Sequence, residues 1–433
     1  MKNYVCKITN ILTNHQISYK KTAISFAHLR IYDYFCSIKV IKNYQIMTNL
    51  INEKSLKVCI VAGARPNFIK VAPLIRAINH TERAQYQLVY TGKDDDPTLE
   101  GTLFDDLQIP RPDVFLGVDC QSLNELTGLV MAAFEHYLQQ HPTDVVIVVD
   151  DLASTMAAAI VTKKQGIRLA HLVAGTRSFD ITMPKEINRL VIDGLSDLLF
   201  TAGISSVSNT NREGAEQSRV YMVGNILIDN LRFNHNRWRR PAIMDEMGLK
   251  EGQYIVFTIN RKALLADTEK LQRMVDVIRG AGGESRGARC EARGTRIAIV
   301  AVLRNQAKEV ISHLSTLNSQ LPTLNSQLTI IPPQPYLDFG YLTAHALGII
   351  TDSGNVAEEA TFNGVPCITL NSYTEHIETV KQGTNVLVGE DPERLQKALD
   401  ELIAGEWKKA SIPDRWDGRT AERILQILID TQR

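Results

Sequence analysis

From Leu56 onward, short apolar runs alternate with stretches of helical period. The first set of runs comprises Leu56–Val61, Gln87–Tyr90, Val145–Val149, Leu169–Val173, Leu198–Phe200 and Val220–Val223. A second set comprises Tyr254–Phe257, Ile297–Val302, Leu328–Ile331, Gly348–Thr351 and Cys367–Leu370. Continuous β-branched runs separated by helical segments predict parallel strands covered on both faces. Two such series predict an α/β protein of two Rossmann-like, doubly wound domains, with the boundary near Gly224-Asn225.

Three segments break this rhythm. Residues 1–55 are read as a non-core extension, because the first 46 are rich in Lys, Asn, Ile and Tyr and show no sustained period. They are either a partner-binding arm or, the favoured reading, sequence translated upstream of a start at Met47. Insertions are expected near 280–296, which is Gly/Arg-rich, and near 315–328. In the latter, Ser315–Leu321 is nearly repeated at Pro322–Leu328, which reads as a duplicated surface excursion.

Composition narrows the function by exclusion. A formal net charge of 0 gives no reason to expect nucleic acid or a membrane surface as partner. The cluster Arg237-Trp238-Arg239-Arg240 is short and is read as a solvated helix end. The cysteines are scattered, with no CxxC pair and no Cys/His ligand spacing, so they read as small core residues and no metal is expected. No apolar run is long enough to span a membrane, and no signal-peptide pattern opens the chain; the cytoplasm is the expected compartment.

Four polar segments at strand ends carry candidate chemistry. After the first strand, Ala62-Gly63-Ala64-Arg65-Pro66-Asn67-Phe68-Ile69-Lys70 opens a helix and adds two cations, Arg65 and Lys70, beside its N-terminus. The turn Thr351-Asp352-Ser353-Gly354-Asn355 leads into a helix expected to begin near Val356. Ser353 is placed at its N-cap, with Glu358 and Glu359 in its first turn. Backbone N–H groups there can hold a diphosphate. Asp150 and Asp151 end a hydrophobic strand; adjacent side chains point apart, so one of the two is expected to face the crevice, the alternative being an N-cap for a helix near Ser154. The loop His171–Asp180, followed by Met183-Pro184-Lys185-Glu186-Ile187-Asn188-Arg189, gathers a His, cations and acids.

Taken in this order, these segments resemble the non-hydrolysing UDP-N-acetylglucosamine 2-epimerases from about Leu56 to the C-terminus. Val223-Gly224-Asn225 and Gly383-Thr384-Asn385-Val386-Leu387-Val388-Gly389 belong to the same resemblance. It implies two Rossmann-like lobes facing across a cleft (GT-B-like), one over 56–224 completed by a C-terminal helix within 413–433, the other a UDP-binding lobe over 225–412. The implied reaction removes the C2 proton, eliminates UDP and adds it back with C2 inverted, with no cofactor. The implied partner is a UDP-sugar, and a homodimer is compatible with the family. Arg65, Lys70, Gln334, Phe339, Ser353, Gly354, Asn355, Glu359 and His376 are the implied UDP-sugar contacts. Gln334 and Phe339 would hold the uracil, Ser353 and Gly354 the phosphate, and Glu359 the ribose.

The resemblance breaks where protons would move. A family Glu is replaced by Val173, the first Glu of Pro-Glu-Glu by Lys185, a His by Asn260, a phosphate-side Arg by His376, and a further His by Leu303. Asp151, His171, Lys185 and Glu186 remain as catalytic candidates. The expected function is a UDP-GlcNAc 2-epimerase with rearranged acid/base groups. The alternatives are a UDP-sugar-binding protein with lost or altered catalysis, and a glycosyltransferase on the same architecture.

Overall fold

The structure is a computed structural model that describes residues 55–99, 101–281, 283–284, 296–317 and 328–432. The expected extension, apart from Ser55, lies outside the described residues, as do 282, 285–295 and 318–327 of the two expected insertions. The chain begins β1 (Leu56–Ala62), α1 (Arg65–Asn79), β2 (Ala84–Tyr90), α2 (Gly101–Leu107), β3 (Val114–Phe115), α3 (Leu123–Gln140) and β4 (Val145–Val149). It continues α4 (Ala153–Lys164), β5 (Arg168–Ala174), α5 (Pro184–Leu195), β6 (Leu198–Thr201), α6 (Ile204–Arg212) and β7 (Val220–Met222). Then come α7 (Ile226–Asn234), α8 (Ala242–Glu246), β8 (Tyr254–Phe257), α9 (Lys262–Ala266), α10 (Thr268–Ala281), β9 (Gly283–Glu284) and β10 (Arg296–Val302). Next are α11 (Asn305–Leu317), β11 (Leu328–Ile331), α12 (Tyr336–Ala344), β12 (Gly348–Thr351), α13 (Gly354–Asn363) and β13 (Cys367–Thr369). The last elements are α14 (Ile377–Lys381), β14 (Asn385–Leu387), α15 (Pro392–Ala404) and α16 (Thr420–Asp430).

The strands form two sheets. The first has the order β3-β2-β1-β4-β5-β6-β7 and is parallel throughout. The second has the order β11-β10-β8-β12-β13-β14, also parallel, with the two-residue β9 antiparallel to β10. All five side chains of β4 are buried, as a central strand with helices on both faces requires. Around the first sheet, Phe68 packs its ring 5.5 Å from Tyr90 and 5.2 Å from Phe104. Truncating such a fully buried ring to alanine costs about 3–5 kcal/mol.

The strand order of each sheet reverses once, between β1 and β4 in the first and between β8 and β12 in the second. Ligand crevices in open α/β sheets form outside the carboxyl ends of strands at such switch points. The chain passes from the first sheet to the second through Gly224 and returns near Thr420. Helix α16 buries Ala421, Ile424 and Leu428 in the same core as Leu56, Ile60 and Phe68. The two crossings are tied together: Asp229 accepts backbone N–H bonds from Thr420 (3.1 Å) and Ala421 (2.8 Å). At Gly224, φ is +106° and a Cβ would lie 2.3 Å from the Arg415 carbonyl, so only glycine fits there.

Several expectations need correction. Helix α13 starts at Gly354 rather than near Val356, which puts Glu358 and Glu359 beyond its first turn. Ser353 is its N-cap, but its side chain makes no capping bond. Helix α4 starts at Ala153 with Leu152 at the N-cap, so neither Asp150 nor Asp151 caps it. The Arg237–Arg240 cluster stands at a helix end with Arg239 and Arg240 exposed, as expected, but its arginines are paired as well as solvated. Arg239 pairs with Asp338 (2.8 Å) and Asp106 (3.2 Å), and Arg237 donates to the Asp106 carbonyl (2.9 Å). Cys59 and Cys367 are buried, whereas Cys120 is partly exposed and donates to Glu125.

Candidate active site

Both switch points open onto one cavity of about 430 Å³. Its first wall comes from the turns after β1, β4 and β5 and from the start of α5; its second comes from the turns after β8 and β12 and from Glu375 and His376. Gly63 lets the β1 turn close down on α4, since a Cβ there would lie 2.2 Å from the Ser154 hydroxyl.

On the first wall the charges are paired. Asn67 Oδ1 accepts from the Gly63 and Ala64 N–H groups, while its Nδ2 donates to Asp150 at 2.8 Å. Lys70 Nζ lies 2.6 Å from the other oxygen of Asp150. Burial alone would lower the Lys70 pKa, but the charges of Asp150 and Glu358 outweigh it, so the amine is held protonated. Asp151 accepts from Arg189 Nε at 2.9 Å and Nη2 at 2.5 Å, and Lys185 Nζ stands 3.7 Å from its second oxygen. Burial pushes the Asp151 carboxyl up, but Arg189 and then Lys185 bring it below the usual carboxylate range. Arg189 also reaches across the cavity to Glu375 with two bonds of 2.7 Å.

Both Asp150 and Asp151 line the cavity, against the expectation that only one would face it. The reason is backbone conformation: Asp150 has φ +59°, outside the extended region, so strand alternation no longer applies to it. Val173, across the same floor, has φ +73°, where β5 and β6 also slip register. A β-branched residue in this region is strained by roughly 1–3 kcal/mol.

His171 lines this floor from beneath. It is 1% exposed, its Nδ1 is 2.5 Å from Asp193 Oδ1, and its Nε2 faces the Asp150 carbonyl at 2.9 Å. Asp193 is in turn bonded by Arg177 at 2.6 Å. This buried chain holds the Asp150 backbone in place.

Of the remaining candidates, Lys185, Ser353, Gly354, Asn355 and His376 line the cavity. Glu186, Arg65, Gln334, Phe339 and Glu359 are not among its lining residues. Glu186 is 2% exposed, and its carboxylate accepts from the Ser178 and Phe179 N–H groups, both at 3.0 Å, and from Arg189 at 3.1 Å. It therefore shapes the loop after β5 rather than offering an oxygen to the cavity. Gln334 donates to the Pro332 carbonyl at 2.9 Å. Glu359 is buried; desolvation first, then the adjacent Glu358, push its carboxyl up to about 8, against the opposing charge of Arg65.

The second wall offers backbone donors. Gly354 and Asn355 open α13 at the cavity, and the first N–H groups of a helix have no partner within it. Asp352 is occupied, accepting from the Asn260 and Arg261 N–H groups at 2.7 and 2.6 Å. Among the cavity residues not singled out as candidates from the sequence are Asn67, Arg189 and Glu375. Arg189 had a legible signal, since it lies four residues after Lys185 and so on the same face of α5.

A sequence profile described as UDP-N-acetylglucosamine 2-epimerase matches residues 76–429. A Methanocaldococcus jannaschii protein named UDP-N-acetylglucosamine 2-epimerase is 32% identical over 379 residues, 86% of this chain and 99% of that one. A Pseudomonas aeruginosa protein named UDP-2,3-diacetamido-2,3-dideoxy-D-glucuronate 2-epimerase is 30% identical over 77% of this chain and 88% of its own. The crystal structure of Methanocaldococcus jannaschii UDP-GlcNAc 2-epimerase in complex with UDP-GlcNAc and UDP superposes with a TM-score of 0.73 at 31% identity, covering 86% of this chain and 99% of that one.

Proposed function

Because the chain belongs to the UDP-N-acetylglucosamine 2-epimerase family, we propose that it interconverts UDP-GlcNAc and UDP-ManNAc by elimination and re-addition of UDP. The observation that carries this reading is the single cavity shared by both switch points, with carboxylates on one wall and a helix N-terminus on the other. A carboxylate, Asp150 or Asp151, takes the C2 proton. The C–H electron pair becomes the C1=C2 double bond, and the C1–O bond breaks with its electrons passing to UDP. Re-addition reverses these changes and returns a proton to the opposite face of C2. Lys70 and His376 neutralise the departing diphosphate, which Ser353, Gly354 and Asn355 hold through the start of α13. Arg189, and after it Lys185, keep Asp151 in its charged form. His171 acts through Asp150, and Glu186 through the loop after β5. Roles for Arg65, Gln334, Phe339 and Glu359 toward the nucleotide rest on family resemblance.

Incubation with UDP-GlcNAc in deuterated water tests the reading. Deuterium at C2 is the expected result; no exchange at high enzyme concentration would sink it. The Val173 side chain on the cavity floor and the paired state of both aspartates favour a second reading, a UDP-sugar binder without turnover. Calorimetric binding of UDP without exchange on any UDP-N-acetylhexosamine would select that one.

A further inference from the structure

Glu358 is 3% exposed, lies beyond the first turn of α13, and has no role in the elimination. Its Oε1 is 2.9 Å from His376 Nδ1 and accepts from Asn225 Nδ2 at 2.6 Å. The opposite edge of the imidazole lies over the start of α13. A Cβ placed on Gly354 would be 2.9 Å from His376 Cδ2 and 3.1 Å from Nε2. One ring nitrogen is thus turned to a buried carboxylate, and the other lies beside the N-terminal N–H groups of the helix.

We propose that Glu358 is a positioning residue for the diphosphate, holding the His376 imidazolium so that its Nε2–H and the N-terminus of α13 grip the same phosphate. The inference rests on the cavity being a UDP-sugar site and adds a pH dependence to that site. Three charged groups face His376: Glu358 from α13, Lys70 from α1, and the adjacent Glu375. Burial and Lys70 disfavour the cation, whereas Glu358 and, more weakly, Glu375 favour it, with a net pKa above the usual histidine value. The imidazolium is therefore present below that raised pKa and lost as pH rises through it.

The test is UDP affinity by calorimetry from pH 6 to 9, with each variant compared to wild type at every pH so that ionisation of UDP cancels. Arginine in place of His376 carries a permanent charge. We expect H376R to bind as well as wild type at low pH and about tenfold more tightly above the histidine pKa, one unit of ionisation being one decade. Glu358→Gln keeps an acceptor for Asn225 but removes the charge. It should move the loss of affinity to lower pH, and E358Q/H376R should restore binding without pH dependence.

A wild-type to H376R ratio that is flat with pH would overturn the proposal, as would an E358Q defect that is equal at all pH and not rescued by arginine. Should E358Q fail to fold, the H376R comparison alone decides. Wild-type protein that binds no UDP would instead remove the functional reading on which the inference stands.

Discussion

The two walls of the cavity solve opposite problems. The first-sheet wall carries full charges and cancels them in pairs, Lys70 with Asp150 and Arg189 with Asp151, and behind it Arg177 pairs with Asp193. The second-sheet wall presents backbone N–H groups at the start of α13 together with the side-chain couple Glu358–His376. Paired charges fix side chains and tune their protonation, and helix-terminal donors give a preset place for an anion. Substitutions on the first wall should therefore act on stability and turnover, and those on the second on affinity.

Arg189 gives the largest expected effect. Arg189→Ala removes the nearest partner of Asp151 and the partner of Glu375, and should destabilise the fold by about 3–5 kcal/mol, read by chemical denaturation. A loss under about 1 kcal/mol would show that the first wall does not depend on its pairing. Next is Asp150→Asn, which keeps a polar group facing Lys70. It should slow C2 deuterium exchange by about a hundredfold or more while UDP affinity changes only a few-fold, and an equal loss of both would blur the division between walls. On the second wall, Gly354→Ala drives a methyl group toward His376 and should weaken UDP binding about tenfold with little change in melting temperature. The smallest effect is expected at Ser353. Its side chain makes no capping bond, so Ser353→Ala should spare the usual cap loss of about 1 kcal/mol and lower UDP affinity only slightly.

Acid should expose the same contrast. Asp151 and Asp193 both have native pKa values below their ordinary range. Each contributes stability that is complete above its unfolded pKa and lost as pH falls through the depressed native value. Denaturation midpoints measured below pH 5 should therefore fall less steeply in Asp151→Asn than in wild type.

Much of this architecture is readable in the chain because its central strands are buried on both faces. Val145–Val149 and Tyr254–Phe257 appear at their true bounds, since no polar residue interrupts them. The two-residue β3 escapes because Val114-Phe115 is too short to show a period, and β14 begins on a polar Asn385. At the cavity, the loops were legible as polar breaks after apolar runs. What decides their geometry was not: the Arg189–Glu375 pair joins residues 186 positions apart, and nothing local marks Asp150 or Val173 for positive φ. The surroundings of Glu186 were hidden for a related reason. A carboxylate in a family motif looks the same whether it meets a ligand or two backbone N–H groups.

The paired crossings at Gly224 and Thr420 have a consequence for motion. Because the chain leaves and re-enters the first sheet's core at one place, the elements of the second sheet amount to an insertion held by two adjacent tethers. Two tethers side by side act like the spine of a book. They resist twisting of one sheet against the other, while any opening of the cavity would have to break the two Arg189–Glu375 bonds that cross it.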